Sequence, residues 1–192
     1  MGESSTAEKA PPLNPDTTMA EVLACFPGAK RALFARYHIG GCQSCSYGDD
    51  ETLAEVCRRN ENLSVHEVIE HIENAHQSDQ KILIQPRDLA EVIAQSHPAP
   101  LLIDLRTREE FEAVHLPHAE MYSQELIQQI FGCEPKDRLI VLYDHKGDRS
   151  LDAAAYLIGH GYANTRALRG GIDAYAQEAD PDLPRYRLEF ED

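Results

Sequence analysis

The sequence predicts an α/β domain with a mainly parallel five-stranded sheet, preceded by a small all-α domain. Two observations carry this. From residue 81 onward, short β-rich runs alternate with amphipathic helical patterns, and such alternation implies a parallel sheet with helices on its faces. Residues 17–77, by contrast, hold helical patterns only, and the polar stretch 74–80 between the two regions reads as a linker. The expected organisation is a disordered leader over 1–16, a helical domain over 17–77 and the α/β domain over 81–192.

In the helical part, Thr18, Met19, Ala20 and Glu21 form a capping box ahead of Val22, Leu23 and Phe26. Pro27 suits the first turn of a second helix carrying Ala29, Ala32, Leu33 and Tyr37. Gly40 and Gly41 should end it. Asp49 or Asp50 is the expected cap of a third helix with Leu53, Val56 and Cys57. Ser64 and Glu67 form a second capping box, opening a fourth helix with Val65, Val68, Ile69 and Ile72 on one face.

In the α/β part the expected strands are 82–84, 101–105, 119–122, 139–143 and 165–168. The expected helices are 86–95, 108–114, 124–131, 149–161 and 172–177, with a further capping box at Thr107 and Glu110. The run from Leu139 to Tyr143 is apolar enough to lie at the centre of the sheet.

Composition narrows the function. The formal net charge is −15, which argues against nucleic-acid binding, since neutralising phosphates takes clustered Lys and Arg. No apolar run approaches the roughly 20 residues that cross a bilayer, and the start of the chain has no apolar signal-peptide core, so a cytoplasmic protein without a membrane role is expected. There are five cysteines, Cys25, Cys42, Cys45, Cys57 and Cys133. The odd count points to reduced thiols or metal ligands rather than a disulfide framework.

Ligands of open α/β sheets bind at the carboxyl ends of the strands. The central strand runs into Asp144, His145, Lys146, Gly147, Asp148 and Arg149, then Ser150 and a helix. A tight loop here turns backbone N–H groups inward at a helix N-terminus, which builds an anion site.

The residues around this loop resemble a known family. Asp104, Arg106, Glu110, Phe111, His115 and Pro117 match an "IDVR…EE(F/Y)…GHIPGA" segment of the rhodanese pattern. Gly170, Gly171 and Ile172, with Tyr175 for the usual Trp, resemble the family's "GGI-x-x-W". The resemblance covers roughly residues 81–190 and implies a Cys-x-x-Gly-x-Arg loop whose cysteine carries a sulfane sulfur. Gly147, Arg149 and Ser150 keep that register, and Asp144 stands at the cysteine position. A carboxylate cannot hold a persulfide, and Asp144 with Asp148 would repel thiosulfate. Asp144 could instead accept the loop N–H groups itself and leave the loop self-filled. Three readings follow: a scaffold relic, a binding site for a cationic or hydroxyl-bearing partner, and Asp144 as phosphoacceptor or general base. Cys133 does not fall in the nucleophile's register.

The spacing of Cys42 and Cys45 lets both sulfurs converge on one metal or form a small disulfide. A closed zinc site or an iron–sulfur cluster needs four ligands. Cys25 and Cys57 are candidates, although both fall beside core positions and read equally as small apolar residues. His38 is a candidate ligand or a surface histidine. The region from about 16 to 77, with its Tyr37–Cys42–Cys45 segment, resembles the N-terminal modules of di-iron iron–sulfur-repair proteins and modules near hybrid-cluster proteins. That resemblance implies an iron, sulfur or nitrosative-stress context.

Two functions are expected. One is a non-catalytic accessory protein in sulfur or iron–sulfur metabolism, its helical module binding an iron–sulfur cluster, zinc or sulfur through Cys42 and Cys45 and its α/β domain recognising a protein partner. The other is a sulfurtransferase or thiol-redox enzyme working through Cys42 or Cys45.

Overall fold

The computed structural model describes residues 12–40 and 46–186, except for the side chain of Asp148. Two compact units meet at the step from Asp79 to Gln80.

The first unit consists, among the described residues, of α1 (Met19–Cys25), α2 (Ala29–Tyr37), α3 (Leu53–Arg59) and α4 (Val65–Gln80). Helices α1 and α3 open alike. Thr18 and Thr52 each accept the N–H of the glutamate three residues on, and Glu21 and Glu55 each accept the threonine's own N–H in return. The two openings lie side by side: Met19 N–H donates to Glu51 O at 2.8 Å and Leu53 N–H to Thr17 O at 3.0 Å. The core that follows joins Met19, Val22, Leu33, Leu53, Val56 and Ile72. Full burial of each such side chain contributes about 1.5–3 kcal/mol.

Four boundaries differ from the sequence reading, each for a local reason. Pro27 precedes α2 instead of opening it, because Gly28 is the N-cap. His38 ends α2 in the left-handed conformation at φ 57°, its N–H on Phe34 O, ahead of the glycine expected to do so. It is exposed. Thr52, not Asp49 or Asp50, caps α3, since its hydroxyl reaches the Glu55 N–H and Glu55 reaches back. The supposed linker 74–80 is the end of α4. Its polar side chains anchor it: Ser78 donates to Asn74 O at 3.0 Å, and buried Asp79 pairs with Arg31.

The second unit interleaves five strands with helices. Strands β1 (Leu83–Ile84), β2 (Leu101–Asp104), β3 (Glu120–Met121), β4 (Ile140–Tyr143) and β5 (Thr165–Leu168) form a sheet in the order β1-β5-β4-β2-β3. Every pairing is parallel, so the mainly parallel sheet expected is wholly parallel. Between and after the strands lie α5 (Pro86–Gln95), α6 (Arg108–Ala113), α7 (Gln124–Cys133), α8 (Asp148–Gly159) and α9 (Gly171–Glu178).

Strand alternation divides the core into two layers. Ile140 and Leu142 of β4 face Leu126 and Ile130 of α7 and Leu151, Ala154 and Leu157 of α8. Val141 and Tyr143 face the other way, toward Leu89 of α5 and Ile172 and Tyr175 of α9. All four β4 residues are buried, as befits the middle strand. From β2 the chain winds outward to β3 on one side, and from β4 to β5 on the other. The crevice beyond the ends of β2 and β4 is therefore the topological switch point where such sheets bind ligands.

Candidate functional site

Two constellations meet at that switch point. The first is the loop between β4 and α8. Asp144 lies just past the last residue of β4 and is buried. Its Oδ1 accepts the N–H of Lys146 at 3.0 Å and the N–H of Gly147; its Oδ2 accepts the N–H of Arg149 at 2.5 Å and of Ser150 at 3.0 Å. Four backbone donors thus converge on one carboxylate at the N-terminus of a helix, where the helix dipole favours negative charge. The loop's donors are filled by the chain itself, one of the arrangements the sequence left open. Both Asp144 oxygens are turned into the loop, and Lys146 and Arg149 of the same loop are exposed.

Glycine geometry makes this loop. Gly147 has φ 97°, a left-handed turn, and an added Cβ would meet the Gly170 N at 3.0 Å. His145 is 9% exposed, and its Nδ1 has no hydrogen-bond partner among the described residues; the same holds for the Oγ of fully buried Ser150. The backbone of α9 then clamps the loop from below. Ile172 N–H donates to Asp144 O at 2.9 Å and Asp173 N–H to His145 O at 3.2 Å.

The second constellation lies beside it at the end of β2. Asp104 and Arg106, singled out by motif, form an ion pair with both side chains fully buried. Arg106 Nη2 donates to Asp104 Oδ2 at 2.6 Å and Nε to Oδ1 at 2.9 Å. The same guanidinium donates to Val114 O at 2.6 Å and to the Tyr186 hydroxyl at 2.6 Å. The Tyr186 hydroxyl in turn donates to Glu110 Oε1 at 2.7 Å. Burial opposes the Arg106 charge, but the Asp104 carboxylate and Tyr186 outweigh it and hold the guanidinium above its ordinary pKa. Burial and then Glu110 push the Tyr186 hydroxyl up to about 12. Burial and then the Asp104 charge raise the Tyr143 phenol, whose oxygen accepts the Leu116 N–H at 3.2 Å.

The structure therefore brings together Asp104, Arg106, Asp144, His145, Gly147 and Ser150, and it adds Tyr186 and Tyr143. Tyr186 has no motif to mark it; its only signal is an aromatic residue soon after Pro184 in a polar tail. Cys133 ends α7 as an exposed thiol. Cys57 is buried and Cys25 half-buried, both packed in the core of the first unit. Burial raises the Cys57 thiol pKa, which makes it a poorer thiolate. Cys42 and Cys45 lie outside the described residues. Among the described residues, no group of three or more His, Cys, Asp or Glu side chains is placed to hold a metal ion. No described helix is long and apolar enough to cross a membrane.

Comparison with known proteins identifies the family. The Rhodanese-like domain family model matches residues 85–178. A sulfurtransferase of Allochromatium vinosum is 41% identical over 81 residues, 42% of this chain and 76% of that protein. The adenylyltransferase and sulfurtransferase UBA4 of Candida albicans is 34% identical over 116 residues, 56% of this chain but 26% of that protein. A probable adenylyltransferase/sulfurtransferase, MoeZ of Mycobacterium tuberculosis, is 33% identical over 116 residues, 59% of this chain and 29% of that protein. The chain thus spans between a quarter and a third of the length of the two larger relatives. A solved structure, SSP1007 of Staphylococcus saprophyticus, aligns with a TM-score of 0.43 at 24% identity, over 53% of this chain and 97% of that one. By the family match and the identity across most of a sulfurtransferase, the chain belongs to the rhodanese-like family.

Proposed function

We propose that this chain is a non-catalytic, rhodanese-like accessory protein in sulfur or iron–sulfur handling, with the β4–α8 loop serving recognition instead of sulfur transfer. One observation carries the reading: Asp144, at the first position of the loop, gives both carboxylate oxygens to the four N–H groups that would otherwise receive an anion. In this reading Asp144 replaces the sulfur-carrying cysteine. A carboxylate so engaged is a poor nucleophile and a poor base, because its lone pairs are committed to donors. The same commitment disfavours the phosphoacceptor role. The sulfur context is supported by the likeness to sulfurtransferases and to the sulfurtransferase-containing UBA4 and MoeZ proteins.

The reading extends to the helical domain, residues 17–77, joined to a rhodanese-like domain over 81–192. There Cys42 and Cys45 would hold a metal, an iron–sulfur cluster or sulfur, and a protein partner would receive it. Two thiolates are half of a closed four-ligand site, so two further ligands would have to join them. The second reading, a sulfurtransferase or thiol-redox enzyme working through Cys42 or Cys45, is favoured by the depressed pKa values that such paired thiols reach.

A thiosulfate:cyanide assay separates the two. Wild type is expected to show no turnover and Asp144→Cys weak turnover, since Gly147, Arg149 and Ser150 keep the frame. Wild-type turnover lost in Cys42→Ser would overturn the accessory reading in favour of the enzyme. Anaerobic purification with metal and acid-labile sulfide analysis tests the cluster: content that does not change in Cys42→Ser and Cys45→Ser would remove those thiols from the proposal.

A further inference from the structure

The segment after α9 returns to the switch point. Arg185 Nε donates to Asp173 Oδ1 at 2.8 Å and Nη2 to Oδ2 at 3.2 Å. Asp173 sits in the first turn of α9, and its own N–H holds the His145 carbonyl. The next residue, Tyr186, inserts its hydroxyl between Arg106 and Glu110, at 2.6 Å and 2.7 Å. Its ring lies 4.8 Å from the His145 ring, centroid to centroid, and the Arg106 guanidinium lies 5.8 Å from its centroid. Two adjacent residues therefore tie four separate elements together: the end of β2, α6, the β4–α8 loop and α9. They also lie beyond residues 85–178, the part that matches the family.

We propose that Arg185 and Tyr186 form a strap that closes the mouth of the β4–α8 loop over His145, and that a partner reaching the loop must displace it. The second clause rests on the loop being a recognition site; the first stands on the contacts alone. Each anchor is suited to reversible release. The Arg185–Asp173 pair is largely on the surface, with side-chain exposures of 51% and 23%, where such pairs are weak. Tyr186 is only half-buried. Release would strand one Arg106 donor, whereas the Asp104 and Val114 bonds would hold Arg106 in place. The strap can thus let go while the ion pair beneath it stays formed.

Diethyl pyrocarbonate labelling of the full-length wild-type chain, resolved by peptide mass spectrometry, tests the strap without any assay of function. Exposed His118 serves as the internal reference. His145 should react about 10-fold more slowly than His118 in wild type, and lose most of that protection in Arg185→Ala/Tyr186→Ala. Labelling of His145 at the His118 rate in wild type would overturn the proposal, as would unchanged protection in a double variant with native near-UV circular dichroism. Should that variant not fold, Tyr186→Phe decides: it keeps the ring and removes both hydroxyl bonds, so protection of His145 should fall about 3-fold, and an unchanged rate would sink the strap. The recognition reading fails separately, by sulfur turnover in wild type, so the two failures cannot be confused.

Discussion

A side chain at Gly171 would collide with the backbone of Asp144. A Cβ built there lies 2.5 Å from the Asp144 carbonyl oxygen and equally close to the carbonyl group of His145, and Gly171 itself has φ 61°. The glycine pair at the start of α9 is thus the floor on which the β4–α8 loop rests, and the shape of the loop depends on an element more than twenty residues away in sequence.

Gly171→Ala is therefore expected to lower stability by about 3 kcal/mol or more, combining left-handed strain with a clash against backbone. Gly159→Ala gives the control. Nothing lies within 4 Å of a Cβ at Gly159, the last residue of α8, so it should be neutral or stabilising by about 0.4–1 kcal/mol. Urea unfolding of both variants checks the opposite signs.

Asp144→Ala should cost about 2–3 kcal/mol, because it strips a charged acceptor from four N–H groups. It should also open the anion site. Sulfate is then expected to raise the thermal midpoint of Asp144→Ala more than that of wild type, whose own carboxylate excludes it. Equal sulfate responses would mean that the donors do not form a usable site.

Asp104→Asn should be the most damaging of the site variants, at about 3–5 kcal/mol, since it leaves the fully buried Arg106 charge without its counter-ion. Denaturant midpoints in wild type and variant measure it directly.

The strap carries an acid dependence. Hydrogen bonding to Arg185, supported by its charge, holds the Asp173 carboxyl below the ordinary value of 3.8 against the opposing effect of burial. A carboxyl whose folded pKa is depressed contributes stability that is fully present above its unfolded value and is lost as pH falls through the folded one. Asp173→Asn should consequently be less stable than wild type at neutral pH, with the gap closing only below 3.8. Thermal midpoints across that range test it; a gap that stays constant into acid would show that the Arg185 pair contributes nothing.

The alternation of strands and helices was legible because a strand repeats every two residues and a helix every 3.6, so patterning alone reveals element type. The central position of β4 was legible too, since only a strand covered on both faces reads Ile140, Val141, Leu142 and Tyr143 without a polar break. Helix ends were less so. Whether Asp49, Asp50 or Thr52 caps α3 depends on which oxygen meets the Glu55 N–H, and the last turn of α4 carries Asp79, whose partner Arg31 lies 48 positions away. Both are matters of distance that composition does not encode.

The same division runs through the site. The resemblance to the rhodanese pattern marked Asp104, Arg106, Gly147 and the Gly170–Gly171 pair, and the tight loop after the central strand marked Asp144. That both Asp144 oxygens are taken up by its own loop while Lys146 and Arg149 are exposed was decided only by the folded backbone, which sets where four N–H vectors converge. Tyr186 was decided wholly by tertiary structure: its role exists only once β2, α6, the loop and the returning tail are side by side, and no local pattern in a chain records which distant groups will share a hydrogen bond.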